Sequence, residues 1–169
     1  MNYRNSLGVM AVVAMTAIVA IAAALAAEFE HRKINPPGLH KHPVYSQVAT
    51  VSGEKTLVFV AGQVDRGLDY EMRSDSCRNS DWRGQYIGTM ENVEKGLTAG
   101  GATWDDVVFI RKFVTDMAAY LAMTGSPDSD LPQYFKEWEA SPSTLIQVVA
   151  LSEPCQLLEI DVVAVVPTN

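Results

Sequence analysis

The stretch LLEIDVVAVV, residues 157–166, decides how this chain folds. Read with period two, one row holds Leu158, Ile160, Val162, Ala164 and Val166, and the other holds Leu157, Glu159, Asp161, Val163 and Val165. The first row predicts a strand face buried in a core. The second sets two acids about 7 Å apart, one strand repeat, in an otherwise apolar row. A carboxylate in such a row must be solvated, paired or used in chemistry.

Working outward, TLIQVVAL (144–151) reads as the preceding strand, joined to the last one by the turn SEPC (152–155). DVVFIRKFVT (106–115) is a further strand, with Val108, Ile110 and Val114 on one face and Val107, Phe109 and Phe113 on the other. Both faces are apolar, so both are expected to be covered. Between 82 and 99, Tyr86, Met90, Val93 and Leu97 recur at helical spacing, and Gly100-Gly101 follows as a C-terminal stop. A second helix is expected over 130–140, with Leu131, Tyr134, Phe135 and Trp138 on its buried stripe. Toward the N-terminus, VYSQVATV (44–51) and TLVFVA (56–61) flank the turn SGEK and predict a hairpin. Residues 66–83 form a long polar connection, a surface or lip element.

The order strand, strand, helix, strand, helix, strand, strand predicts a two-layer α+β domain with two helices on one face of a mixed sheet. The other sheet face is apolar too, and no third layer remains in the chain to cover it. Burial against other copies in a closed symmetric assembly is the expected solution.

Composition narrows the function. Of 169 residues, 48% are hydrophobic and 20% charged, a globular balance, and the formal net charge is −7. Phosphate binding needs clustered Lys and Arg, which are scattered here, so no nucleic-acid surface is expected. Residues 7–27 carry no charge over a length that can cross a bilayer. Residues 1–27 are therefore a signal peptide, with Ala24-Leu25-Ala26 as a small-x-small cleavage site, or a retained membrane anchor. The Ala-rich end favours a domain outside the cytoplasm, periplasmic and either secreted or anchored, with an anchored domain facing the cytoplasm as the alternative. Residues 28–43, broken by Pro36, Pro37 and Gly38, read as a tether, and 44–169 as the domain.

Cys77 and Cys155 both lie in polar, turn-like surroundings. One disulfide between them and two unpaired surface thiols both fit. His40 and His42 stand two residues apart just before Tyr45, but no further His or Cys completes a ligand set, so they read as a solvated loop and no metal is expected.

Several short segments resemble the RidA/YjgF (Rid, reactive-intermediate deaminase) superfamily. They are INPPGL ahead of HPVYSQ, FVAGQVD, Gln85 seven residues before Asn92, AGGATWDDVV, FVTDM and LEIDVVAV. The resemblance runs from Ile34 to the end and rests on their order and spacing. It implies a chorismate-mutase-like fold, a homotrimer with small-molecule clefts between subunits, and hydrolysis of reactive enamines and imines to ketoacids and ammonia without cofactor. It further implies Glu159 as the acid that directs the attacking water, Tyr45 as a cleft aromatic, and Gly62 as a glycine whose backbone lines the pocket. The alternatives are a Glu159 paired with Arg111 or Lys112 across an interface, a core-capping Tyr45 and a plain strand-end Gly62.

The departure is at Ser143, where deaminating members carry an arginine that clamps the substrate carboxylate. Losing such a pair weakens binding by roughly 2–5 kcal/mol, which speaks against standard 2-aminoacrylate deamination. Ser143, Leu145 and Gln147 share one strand face and are expected to give a polar, uncharged pocket floor. The rival reading is a binding or accessory subunit of a membrane-associated complex, its chemistry lost with the arginine.

Overall fold

The computed structural model describes residues 28–41, 45–67, 77–125, 131 and 141–168. The expected signal peptide or anchor at 1–27 lies outside these residues, as do His42 and, apart from the buried Leu131, the expected helix over 130–140. Among the described residues no helix is long and apolar enough to cross a membrane.

Among the described residues six strands and two α-helices follow in order, with a short 3-10 turn at Trp104–Asp106 before the fourth strand. They are β1 (Glu30–Ile34), β2 (Val48–Ser52), β3 (Lys55–Gln63), α1 (Trp82–Ala99), β4 (Val107–Val114), α2 (Met117–Thr124), β5 (Ser143–Gln147) and β6 (Leu158–Pro167). A four-stranded sheet runs β3-β6-β4-β5. β6 lies antiparallel between β3 and β4, whereas β5 runs parallel to β4 at the edge, so the sheet is mixed as expected.

The period-two reading of the last strand holds. Leu158, Ile160, Val162 and Ala164 are fully buried and join Val58, Val60, Val107, Ile110 and Val114 in the core. α1 covers this face with Tyr86, Met90, Val93 and Leu97. Asp81 caps the helix by accepting from the Gly84 N–H at 2.9 Å. At its other end the N–H of Ala102 returns to the Leu97 carbonyl at 2.9 Å across Gly101, whose φ of 74° suits glycine. α2 was not foreseen. Its Tyr120 is buried and meets Trp82 edge-on, with ring centroids 6.5 Å apart.

Two N-terminal expectations need correction. The segment read as a tether contributes β1, which pairs antiparallel with β2 from Glu30↔Ser52 to Ile34↔Val48. The expected hairpin is absent as a pair, because β2 joins β1 in a two-stranded sheet while β3 pairs with β6 from Lys55↔Pro167 through Val60↔Val162. β3 goes where its apolar face is buried: Val58 and Val60 reach the core beside Ala164 and Val162. β1, with sequence EHRKI, shows no apolar alternation and is held mainly by its ladder to β2. The Asn35 side chain adds an acceptor for the Gln47 N–H at 3.1 Å.

Among the described residues the opposite sheet face is only partly covered, with Phe109, Phe113 and Val163 half-buried. Leu57 is 51% and Phe59 71% exposed, and Ile146 of β5 is exposed as well. The register sets Glu159 beside Phe113, and Phe113 beside Ile146, on this same face.

Candidate functional site

The partly covered face carries a short line of charge through its apolar surface. Asp161 stands opposite Arg111 and takes its Nε–H at 2.9 Å. Glu159, one repeat along β6, has no hydrogen-bond donor among the described residues. It is half-buried, and burial first, then the neighbouring Asp161, push its carboxyl above the ordinary value of 4.5, while the charge of Arg66 acts in the opposite direction. A carboxyl held in this way carries its proton closer to neutrality and can both take and return one. The two acids of the last strand thus have different fates: Asp161 is paired, and Glu159 is not.

Gly62 lies directly against Glu159. A β-carbon on residue 62 would fall onto the Glu159 carboxylate, with the carboxyl carbon only 2.7 Å away. The contact arises at an irregularity in the ladder, where the β3–β6 register shifts between Val60 and Gln63. The bulge brings the Gly62 backbone under an acid from the neighbouring strand.

The other expected pocket residues lie elsewhere in the chain. Ser143, Leu145 and Gln147 align with Ile110, Lys112 and Val114, so they share the helix-facing side of the sheet, opposite to Glu159. Leu145 packs against the core. Gln147 offers its side-chain oxygen to the Met117 N–H at 3.0 Å, at the start of α2. Lys112 lies between Leu145 and Ile160, where burial lowers its ammonium to about 8. Tyr45 is half-buried and lies shortly before β2, the strand that pairs with β1. One chain therefore brings Glu159 and Gly62 together and sets the β5 residues on the opposite side of the sheet. His40 is exposed, and its carbonyl accepts from Gln47 Nε2 at 2.6 Å. Among the described residues no three His, Cys, Asp or Glu side chains converge as metal ligands would.

Sequence reasoning missed a polar network that fixes the surroundings of Glu159. Asp65, fully buried, accepts from Arg78 Nε at 2.8 Å, from the Asn79 N–H at 2.7 Å and from Asn79 Nδ2 at 3.0 Å. Arg78 also donates to the Gly88 carbonyl at 3.0 Å, so the pair locks the loop after β3 onto α1. Gln85, also fully buried, donates to the carbonyls of Asn79 and Cys155 at 3.0 and 2.8 Å and accepts from the Leu157 N–H at 2.9 Å. Asn92 holds the carbonyls of Val64 and Arg66 at 2.8 and 3.1 Å. The visible signal was Gln85 and Asn92 seven residues apart, two polar side chains on the buried flank of an amphipathic helix. Cys77 and Cys155, left open by the sequence, are joined in a disulfide with Cα atoms 5.9 Å apart.

Comparison with known proteins agrees with this architecture. The family model described as endoribonuclease L-PSP matches residues 39–166. A Rid-family protein of unknown function, YyfB from Yersinia pestis, superposes with a TM-score of 0.63 at 25% identity, covering 80% of this chain and 98% of that one. Rv2704 from Mycobacterium tuberculosis, of the YjgF/YER057c/UK114 family, gives 0.50 at 25% identity over 81% of this chain and 100% of its own. Yeast Mmf1 shares the fold, with a TM-score of 0.54 at 19% identity over 81% of this chain and 95% of its own. No curated protein sequence matches at a significant level. With an α+β fold built around a mixed sheet, and a family match across nearly the whole described domain, the chain belongs to the endoribonuclease L-PSP family, within the RidA/YjgF superfamily.

Proposed function

We propose that this protein is a homotrimeric Rid-type hydrolase, working outside the cytoplasm, that adds water to a small imine, enamine or related carbonyl compound. The observation that carries the reading is Glu159: a half-buried acid with a raised carboxyl, no donor among the described residues, and a glycine backbone beneath it. Ionised, it takes a proton from water as the oxygen attacks the carbon of the protonated imine, giving a neutral carbinolamine. Glu159 then returns that proton to the nitrogen as the C–N bond breaks and ammonia departs, and the hydroxyl proton passes to solvent to leave the carbonyl product. No cofactor is needed for these steps.

The trimer is supported by the partly covered apolar face, where Leu57, Phe59 and Ile146 need a cover that another copy supplies. β5 is an edge strand with Ser143 on the helix-facing side and Glu159 lies on the other side, so a site that uses both would take them from different copies. There Tyr45 and Ser143 orient the ligand. Ser143 supplies no charge, which favours a neutral substrate. The net charge of −7 and the scattered basic residues support a metabolite rather than RNA. The disulfide supports an oxidising compartment. N-terminal sequencing and fractionation of the native protein test that location: an intact N-terminus in the cytoplasmic fraction refutes it.

The catalytic reading is tested by assaying the purified oligomer against a panel of imines, with Glu159→Gln beside it. Rates at background, unchanged by the substitution, would end it. Ser143 motivates a second reading, a metabolite-binding or accessory subunit of a membrane complex. Purification in mild detergent decides this one, because a trimer with no co-purifying protein counts against it.

A further inference from the structure

The turn that leads into the Glu159 strand is held by more bonds than its length requires. It runs from Ser152 to Gln156, in the connection between β5 and β6. Internally, the Gln156 side-chain oxygen accepts from Ser152 Oγ at 3.1 Å and from the Glu153 N–H at 3.2 Å. From outside, Arg66 Nη2 donates to Ser152 Oγ at 3.2 Å, and Gln85 grips the Cys155 carbonyl and the Leu157 N–H. Arg66 is also the cation whose charge reaches Glu159. The remaining tie is covalent: Cys155 is bonded to Cys77, whose N–H also meets the Cys155 sulfur at 3.1 Å. Cys77 adjoins Arg78 and Asn79, the residues that clamp Asp65, and Asp65 is the neighbour of Arg66. The disulfide thus closes a ring that passes through Arg66 on one side and the 152–156 turn on the other.

We propose that the Cys77–Cys155 disulfide is a redox-sensitive clamp on the Glu159 site, closed when oxidised and loosened when a dithiol reduces it. Both cysteines are half-buried, not sealed in the core, so a small reductant reaches them. A thiolate of the reductant attacks one cysteine sulfur and the S–S bond breaks. The second thiol of the reductant then resolves the mixed disulfide, leaving two protonated cysteines and an oxidised, cyclic reductant. Once the bond is gone the turn keeps its internal hydrogen bonds and those from Gln85 and Arg66 but has lost its covalent tie to residue 77. A segment held only by such bonds opens locally far more often than one covalently tied. Opening breaks the Ser152–Arg66 bond, one of the ties that set where the Arg66 charge lies relative to Glu159. The core strand is untouched, because Leu158, Ile160 and Val162 stay packed under α1. The clamp so described regulates the same site as the hydrolase reading and rests on it for its biological sense.

The test uses the full chain, oxidised, reduced with dithiothreitol, and as the Cys77→Ser/Cys155→Ser double variant. Two readouts are followed: amide exchange by mass spectrometry, and the titration of Glu159 by carboxyl NMR. Exchange over 152–157 is expected to rise about tenfold or more on reduction, with α1 and residues 160–166 unchanged and the Glu159 midpoint displaced. The double variant should match the reduced protein and ignore dithiothreitol. Equal exchange in both redox states, or faster exchange spread evenly over the domain, would overturn the clamp and leave a plain stabilising cross-link. The hydrolase reading fails separately. Glu159-dependent turnover indifferent to reduction sinks the clamp alone, whereas a redox-responsive turn in a protein without turnover sinks the hydrolase alone.

Discussion

Asp65 and Glu159 are two carboxylates lying against glycine backbones, and the molecule treats them in opposite ways. Asp65 sits over Gly88, is fully buried, and is met by three donors from Arg78 and Asn79. Glu159 sits over Gly62, is half-buried, and receives no hydrogen bond among the described residues. A carboxylate held by three donors is a strut, since moving it or its proton breaks several bonds at once. One left with desolvation and a neighbouring acid has its proton free to move. The contrast separates an acid that shapes the fold from an acid available for chemistry, and exchanging or weakening their partners tests that separation.

The largest effect should come from Glu159→Gln. The substitution keeps shape and removes the base, so hydrolysis should fall by about 10²–10⁴-fold, the usual range for a general acid–base. Stability at pH 7 should hold or rise, because a carboxylate that burial disfavours is gone. A paired structural acid would behave in reverse, with melting temperature lost and turnover per folded molecule kept.

Asp65→Ala is that reverse case. It leaves the Asn79 N–H without its acceptor and Arg78 with only the Gly88 carbonyl and the more distant Glu91, and breaking one half of a buried pair costs about 3–5 kcal/mol. Arg78 is one-third exposed, with a side-chain exposure of 34%, so water relieves part of this and the low end of the range is expected. Urea unfolding measures it, and a loss under about 1 kcal/mol would mean the network is no stronger than a surface pair.

How far these roles were legible depended on what kind of signal each residue leaves. Glu159 stood out because an acid in an apolar alternating row violates its pattern. α1 and β6 were legible for the same reason, since both repeat their period over several turns or pairs. α2 escaped because MAAYLAMT is short and apolar almost all round, with only Tyr120 buried, so no stripe forms. β1 escaped because its stability lies in its ladder to β2. The approach of Gly62 to Glu159 depends on the register shift between Val60 and Gln63, and that shift is a property of two strands together. Asp65 carries no periodic signal of its own, and its role shows only where Arg78 and Asn79, within the long connection, fold back onto it.

Gly62→Ala breaks the comparison from beneath. The new methyl group meets the far end of a flexible side chain, so Glu159 can swing away with little strain, about 1 kcal/mol or less by the scale of overpacking. Misplacing the base by an ångström still costs about 10²-fold in rate. Near-wild-type melting with a hundredfold slower turnover is therefore expected. Loss of stability with turnover per folded molecule intact would make Gly62 a packing residue and Glu159 a bystander.

The smallest effect is a displacement along the pH axis. Glu159 must be ionised to act as base, so the acid limb of kcat/KM should lie above the ordinary glutamate value of 4.5, with rate rising as pH climbs through it. Stability runs the other way. A carboxyl raised in the folded state contributes below the unfolded value and loses that contribution as pH rises through the folded one, so the stability gap between Glu159→Gln and wild type should widen above pH 4.5. Three influences can be removed one at a time. Asp161→Asn takes away a like charge and should bring the limb down, while Arg66→Gln takes away the opposing cation and should send it up. Asp65→Asn should leave it in place, because that charge is spent on Arg78 and Asn79. If Arg66→Gln and Asp65→Asn moved the limb equally, the Arg66 effect would be the collapse of the loop they share, and the guanidinium would have no direct hold on the Glu159 proton.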